Sequence, residues 1–104
     1  MKFGLSDDVI EELQKVFKRH ANITQVFIFG SRAKGNYHEG SDIDLAVTGS
    51  DISFDQLLDI RNEIDDTHLL YKIDIVDYEK EKDSPIGRHI KRVGKLFYPS
   101  EDNN

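Results

Sequence analysis

Apolar residues recur at three- and four-residue spacing near the start of the chain, where Val9, Ile10, Leu13, Val16 and Phe17 mark one face of a helix. Ser6 is suited to cap it, Asp7 and Asp8 fall where the helix dipole favours carboxylates, and Lys18-Arg19-His20 suits its last turn. This helix is expected to run to about Arg19. The pattern then changes: Val26-Phe27-Ile28-Phe29 is an apolar run too short for a helix and is stopped by Gly30, which predicts a buried strand. Ser31 to Gly35 reads as a turn or short helix, and Asn36 to Gly40 is polar and turn-like. From Asp42 to Val47 the period is two, with Asp42, Asp44 and Ala46 on one side and Ile43, Leu45 and Val47 on the other. Ser53 opens a second helix through about Asp66. Phe54, Leu57, Leu58, Arg61 and Ile64 lie on or beside its inward face, and Asp55, Asp59, Glu63 and Asp66 form an outward acidic stripe. Alternation returns from Tyr71 to Tyr78 as a third strand, and Ser84-Pro85 opens a last helix that reaches about Val93, with Gly94 to end it. Ordered residues are expected through Tyr98, then a flexible tail from Pro99 to Asn104.

The order helix, strand, strand, helix, strand, helix predicts an α+β (two-layer α/β) fold: a small mixed sheet with helices packed on one face and the other face available. Composition narrows this to one soluble globular domain, residues 1–98, since 104 residues with 38% apolar and 33% charged side chains suffice for a single core. No stretch approaches the roughly 20 apolar residues of a membrane span, and Met1-Lys2-Phe3-Gly4 lacks the apolar run of a signal peptide. A cytoplasmic protein without membrane contact is therefore expected. The absence of cysteine leaves carboxylates, histidines and hydroxyls for any chemistry. A net charge of −6 argues against stable, direct nucleic-acid binding, which depends on a basic surface. It leaves open a nucleotide bound through a cation, which lets clustered carboxylates hold a phosphate they would otherwise repel.

Three carboxylates suggest such a cation. Asp42 and Asp44, two residues apart on a strand, point to one face. In Lys72-Ile73-Asp74-Ile75-Val76-Asp77, an apolar side formed by Ile73 and Ile75 leaves Asp74 on the open side, whereas Asp77 has the opposite parity and falls outside the group. Carboxylates so gathered repel unless a cation sits among them, and magnesium prefers oxygen ligands. Before them, Gly30-Ser31 at a strand end gives a turn where the backbone can approach phosphate oxygens and a hydroxyl is at hand. Gly-Ser and Asp-x-Asp at this one spacing should meet by chance on the order of once per thousand chains this long.

Phe29-Gly30-Ser31-Arg32-Ala33-Lys34-Gly35, Ser41-Asp42-Ile43-Asp44-Leu45 and Ile73-Asp74-Ile75-Val76-Asp77 together resemble the minimal nucleotidyltransferase family of the polymerase-beta-like superfamily, whose pattern is Gly-Ser, ten residues, Asp-x-Asp and a later Asp. The likeness runs from the strand before Gly30 to the last helix, and every motif position is filled. It implies that Gly30 and Ser31 bind the triphosphate of an NTP, ATP being the expected donor. It also implies that Asp42 and Asp44 hold two Mg2+ ions, with Mn2+ as a substitute, and that Asp74 completes the metal site and helps activate the acceptor. It further implies transfer of a nucleoside monophosphate, AMP above all, to an acceptor hydroxyl with release of pyrophosphate. Members of this kind pair with a separately encoded HEPN-domain toxin, act as its antitoxin by nucleotidylating a tyrosine, and form a hetero-oligomer with it. Two rivals stay open: an antitoxin or nucleotide-binding module that works by contact alone, and nucleotidylation of a small molecule such as an aminoglycoside.

Other residues add less. Arg32 and Lys34 flank the Gly-Ser turn and are candidates to meet the triphosphate or the acceptor, with a surface role as the alternative. Tyr37, before Asp42, is a candidate for contact with a base or acceptor, while Tyr71, Tyr78 and Tyr98 read as packing residues. Arg88, Lys91, Arg92 and Lys95 make a basic patch on or near the last helix. His20, His38, His68 and His89 have no spacing that pairs them as metal ligands, and none is assigned a catalytic role.

Overall fold

Capping and periodicity place the helices of the computed structural model, which describes residues 1–99. Ser6 and Ser53 each accept a hydrogen bond from the backbone N–H three residues on, opening α1 (Asp7–Lys18) and α3 (Phe54–Asp65). Between them lie β1 (Ile23–Phe29), the single turn α2 (Ser31–Lys34) and β2 (Ile43–Gly49). After α3 come β3 (Ile73–Asp77), the single turn α4 (Tyr78–Glu81), α5 (Pro85–Val93) and β4 (Lys95–Tyr98). Asp77 is only 6% exposed and caps α4, accepting from Glu79 N at 3.0 Å.

The four strands form one mixed sheet in the order β3-β2-β1-β4, with β1 antiparallel to β2 and β4, and β2 parallel to β3. The predicted polymerase-beta-like α+β architecture is thus present. Strand parity divides the sheet into two faces. Val26, Ile28, Ile43, Leu45, Val47 and Ile75 join Leu13, Val16, Phe17, Leu57, Ile60 and Ile64 in the main core, so the two long helices share one face as expected.

The other face differs from the sequence reading in being partly covered. Ile90 of α5 is buried against Phe29 and Ala46, with Val93 and Val76 beside it, because the small Ala46 leaves room for a helix to approach. The end of this face that carries Asp44 and Asp74 stays polar, as does the opposite end at Gln25 and Thr48. Four further differences concern single elements or residues. Leu96 and Phe97 are too few to announce a strand, yet β4 adds an edge to β1 and buries Phe97 on the core face. Leu5, before the first predicted element, is fully buried and closes a short turn with Lys2. On α3, Ile60 takes the inward position, while Phe54 and Leu58 are exposed. Glu63 is drawn out of the acidic stripe by Arg19 and His20, whose side-chain nitrogens lie 3.2 and 2.9 Å from its carboxylate. Of the expected tail, only Pro99 belongs to the described residues; 100–104 lie outside them. Among the described residues, no helix is long and apolar enough to cross a membrane.

Candidate active site

Three chain segments meet at the uncovered end of the sheet. β1 delivers Phe29 opposite Asp44, and Gly30 then turns the chain with φ +72° and ψ −154°. An L-residue rarely adopts that φ, and a Cβ at Gly30 would run into the Asp44 carboxylate, so the backbone comes as near to Asp44 as only glycine allows. α2 follows directly, with Lys34 N donating to Gly30 O at 3.1 Å and Gly35 N to Ser31 O at 2.9 Å. Gly35 closes this turn in the left-handed conformation at φ +88°.

The parallel register of β2 and β3 sets Asp44 beside Asp74, side chains on the same face. Asp74 is exposed and Asp44 half-buried. Asp42 is exposed and stands one residue before β2, on the loop that enters it rather than within the strand as expected. The three carboxylates interact. Burial pushes the Asp44 pKa above its ordinary value, and the like charges of Asp74 and Asp42 push it further, against the smaller opposing pull of His89 and Lys72.

Neither Lys72 nor His89 was assigned to the site by sequence reasoning. Lys72 had a signal, since it shares strand parity with Asp74. His89 had none: it reaches the site because α5 lies across the sheet, where its ring meets Phe29 edge-on at 6.2 Å between centroids.

The donor set suits a hard divalent cation: oxygens only, gathered so that burial and then the like charges of Asp74 and Asp42 raise the pKa of Asp44. Among the described residues, no three His, Asp or Glu side chains form a ready-made cage. Magnesium commonly takes one or two carboxylates and completes its shell with water and substrate phosphate.

Two candidates have other work in this structure. Arg32 is 2% exposed, with its guanidinium engaged within the fold. It donates to the main-chain oxygens of Phe3, Glu39 and Ser41 and lies between the rings of Tyr37 and Tyr71, 5.2 Å from each centroid. A charge buried this deeply persists because all its bonds are made within the fold. Tyr37, expected near a base or acceptor, stacks on Arg32 and packs against Gly4. Lys34 remains exposed at the end of α2.

A glycine turn thus stands against paired aspartates on a small mixed sheet. The chain belongs to the polymerase beta nucleotidyltransferase family, whose model matches residues 11–103, and it is accordingly a nucleotidyltransferase. Among particular relatives, a Methanocaldococcus jannaschii protein named as a protein adenylyltransferase is 39% identical over 90 aligned positions, spanning 78% of this chain and 84% of the relative. A Sulfolobus solfataricus structure named as a nucleotidyltransferase matches with a TM-score of 0.55 and 29% identity, over 89% of this chain and 78% of the other. A chain of a toxin–antitoxin crystal structure with AMP-PNP shares the fold at a TM-score of 0.69 and 21% identity, over 93% and 76%. A chain of the toxin–antitoxin MntA-HepT does so at 0.67 and 16%, over 91% and 74%.

Proposed function

We propose that this protein is an antitoxin that transfers AMP from ATP to a tyrosine hydroxyl of a HEPN-domain toxin, with Mg2+ as the metal. The observation that carries the reading is the pairing of Asp44 with Asp74 beneath the Gly30 turn. Gly30, Asp44 and Asp74 share one patch, which supports reading the turn as a phosphate site beside carboxylates that hold a metal. The name of the M. jannaschii relative supports a protein acceptor, and the fold shared with toxin–antitoxin chains supports the partner.

Gly30 and Ser31 hold the triphosphate, the turn supplying backbone N–H groups and Ser31 its hydroxyl. Asp42 and Asp44 are the metal ligands, and Asp74 joins them from the neighbouring strand. A divalent ion held by Asp42, Asp44 and Asp74 would neutralise the triphosphate and lower the pKa of the attacking hydroxyl. The acceptor oxygen attacks the α-phosphorus, the bond to the bridging oxygen breaks, and pyrophosphate leaves. The Asp74 carboxylate accepts the acceptor's proton at one of its oxygens, a role its exposure supports. The residues contribute chiefly by positioning and by fixed charge. Lys34, exposed at the end of α2, contributes positive charge to the donor side.

Incubation with labelled ATP, Mg2+ and the neighbouring HEPN protein should move label onto that protein's tyrosine. If no nucleoside triphosphate labels it while Asp42→Ala still neutralises the toxin in cells, the protein acts by contact and the catalytic reading is wrong. Label on an aminoglycoside in place of the protein would assign a small-molecule acceptor.

A further inference from the structure

We propose that Arg32 is a positioning residue for Asp42: it fixes the loop that presents this carboxylate and couples it to the N-terminal turn, resting on the reading of Asp42 as a metal ligand. Asp42 is held on both sides by main-chain bonds. On one side, Arg32 Nε and Nη2 donate to Ser41 O at 3.2 and 3.0 Å. On the other, Ile43 N donates to Lys72 O at 2.9 Å, which is the start of the β2–β3 ladder. The second anchor belongs to the sheet. The first rests on Arg32 together with a local turn, in which Ser41 N donates to His38 O at 3.1 Å and Ser41 Oγ accepts from His38 N at 2.7 Å; Arg32 is what ties this exposed, polar loop to the body of the fold, directly and through the Tyr37 ring stacked on it.

The guanidinium has an unusual set of partners for a cation, three carbonyl groups and two aromatic faces. Its Nη1 donates to Phe3 O at 2.9 Å, and its Nη2 reaches Glu39 O at 3.1 Å as well as Ser41 O. Phe3 and Gly4 both have positive φ, 58° and 71°, which forms the turn that presents the Phe3 carbonyl. Gly4 lies so close to the Tyr37 ring that a Cβ there would overlap it. Lysine cannot replace this planar fork, since a point-like ammonium cannot span three separated carbonyls. The geometry makes the position of Asp42 sensitive to Gly4, which does not itself belong to the metal-binding group.

The test is Mn2+ titration of the nucleotide-free protein by calorimetry, with thermal melting of each variant followed by circular dichroism. Arg32→Lys is expected to melt cooperatively yet bind Mn2+ more weakly by about tenfold or more, the usual consequence of disturbing a group that orients a metal ligand. Gly4→Ala, which displaces Tyr37, should shift the affinity the same way by less. A folded Arg32→Lys that binds Mn2+ as the wild type does would overturn the proposal. Should that variant not fold, unchanged affinity in folded Gly4→Ala would overturn it equally. Asp42→Asn separates the two levels of the argument. If it binds as the wild type does, or if the wild type takes up no Mn2+, the metal reading falls and this inference falls with it. Weak binding by Asp42→Asn beside normal binding by Arg32→Lys removes the positioning role alone.

Discussion

Gly30 and Asp44 illustrate how single residues carry the site. At Gly30, positive φ and the adjacent Asp44 carboxylate both reject a side chain. Gly30→Ala is therefore expected to cost about 1–3 kcal/mol from backbone strain, read from urea denaturation, and to abolish transfer. Asp44 carries the clearest electrostatic signature. Its pKa in the fold lies above the ordinary 3.8 because of burial and then of Asp74 and Asp42, so the folded state binds the proton more tightly than the unfolded chain does. By linkage this contribution to stability is present below the unfolded pKa and is lost as pH rises through the folded one. Metal-free Asp44→Asn should therefore melt above the wild type at neutral pH, and the gap should close on acidification. Added Mg2+ should raise the wild-type melting temperature and leave the variant's nearly unchanged. A variant that melts lower than metal-free wild type at pH 7 would contradict this. Strand parity makes Asp74 legible beside Asp44 from the residue order alone. The environment of Arg32 is not legible in that way, since a cation beside a Gly-Ser turn looks the same in sequence whether it faces a phosphate or the interior.

Elements with strong local signals were legible, and those fixed by tertiary packing were not. Capping serines and a three-to-four periodicity identify α1 and α3, while period-two alternation identifies β2 and β3. β4 has no such signal. Its four residues become a strand only because β1 offers an unpaired edge, and Gln14 of α1 donates to Phe97 O at 2.9 Å to hold it there. α5 was legible as a helix but not as a cover for the second sheet face, since that depends on Ala46 leaving room for Ile90. Ile90→Ala should cost about 2–5 kcal/mol in denaturant unfolding, as for other buried isoleucines. It should also loosen His89 from Phe29, so that transfer falls by more than the loss of folded protein accounts for. A drop in activity that only tracks folded fraction would show that α5 has no bearing on the site.

For the whole molecule, the sheet places a glycine turn, two strand aspartates and a loop aspartate at one uncovered end, and the helices hold everything else in place. Family membership, the architecture and the candidate metal-binding group agree on nucleotidyl transfer. The acceptor is the part to which neither the Gly-Ser turn nor the aspartates speak, because recognising a partner is a property of surfaces rather than of motif spacing. The central claim is therefore tested most directly on the acceptor. Intact-mass spectrometry of the proposed HEPN-domain partner, after incubation with this protein, ATP and Mg2+, should show a gain of one or more AMP groups. The gain should be absent with Asp44→Asn or with EDTA. An unchanged mass with the wild type, under conditions where the two proteins form a complex, would contradict it.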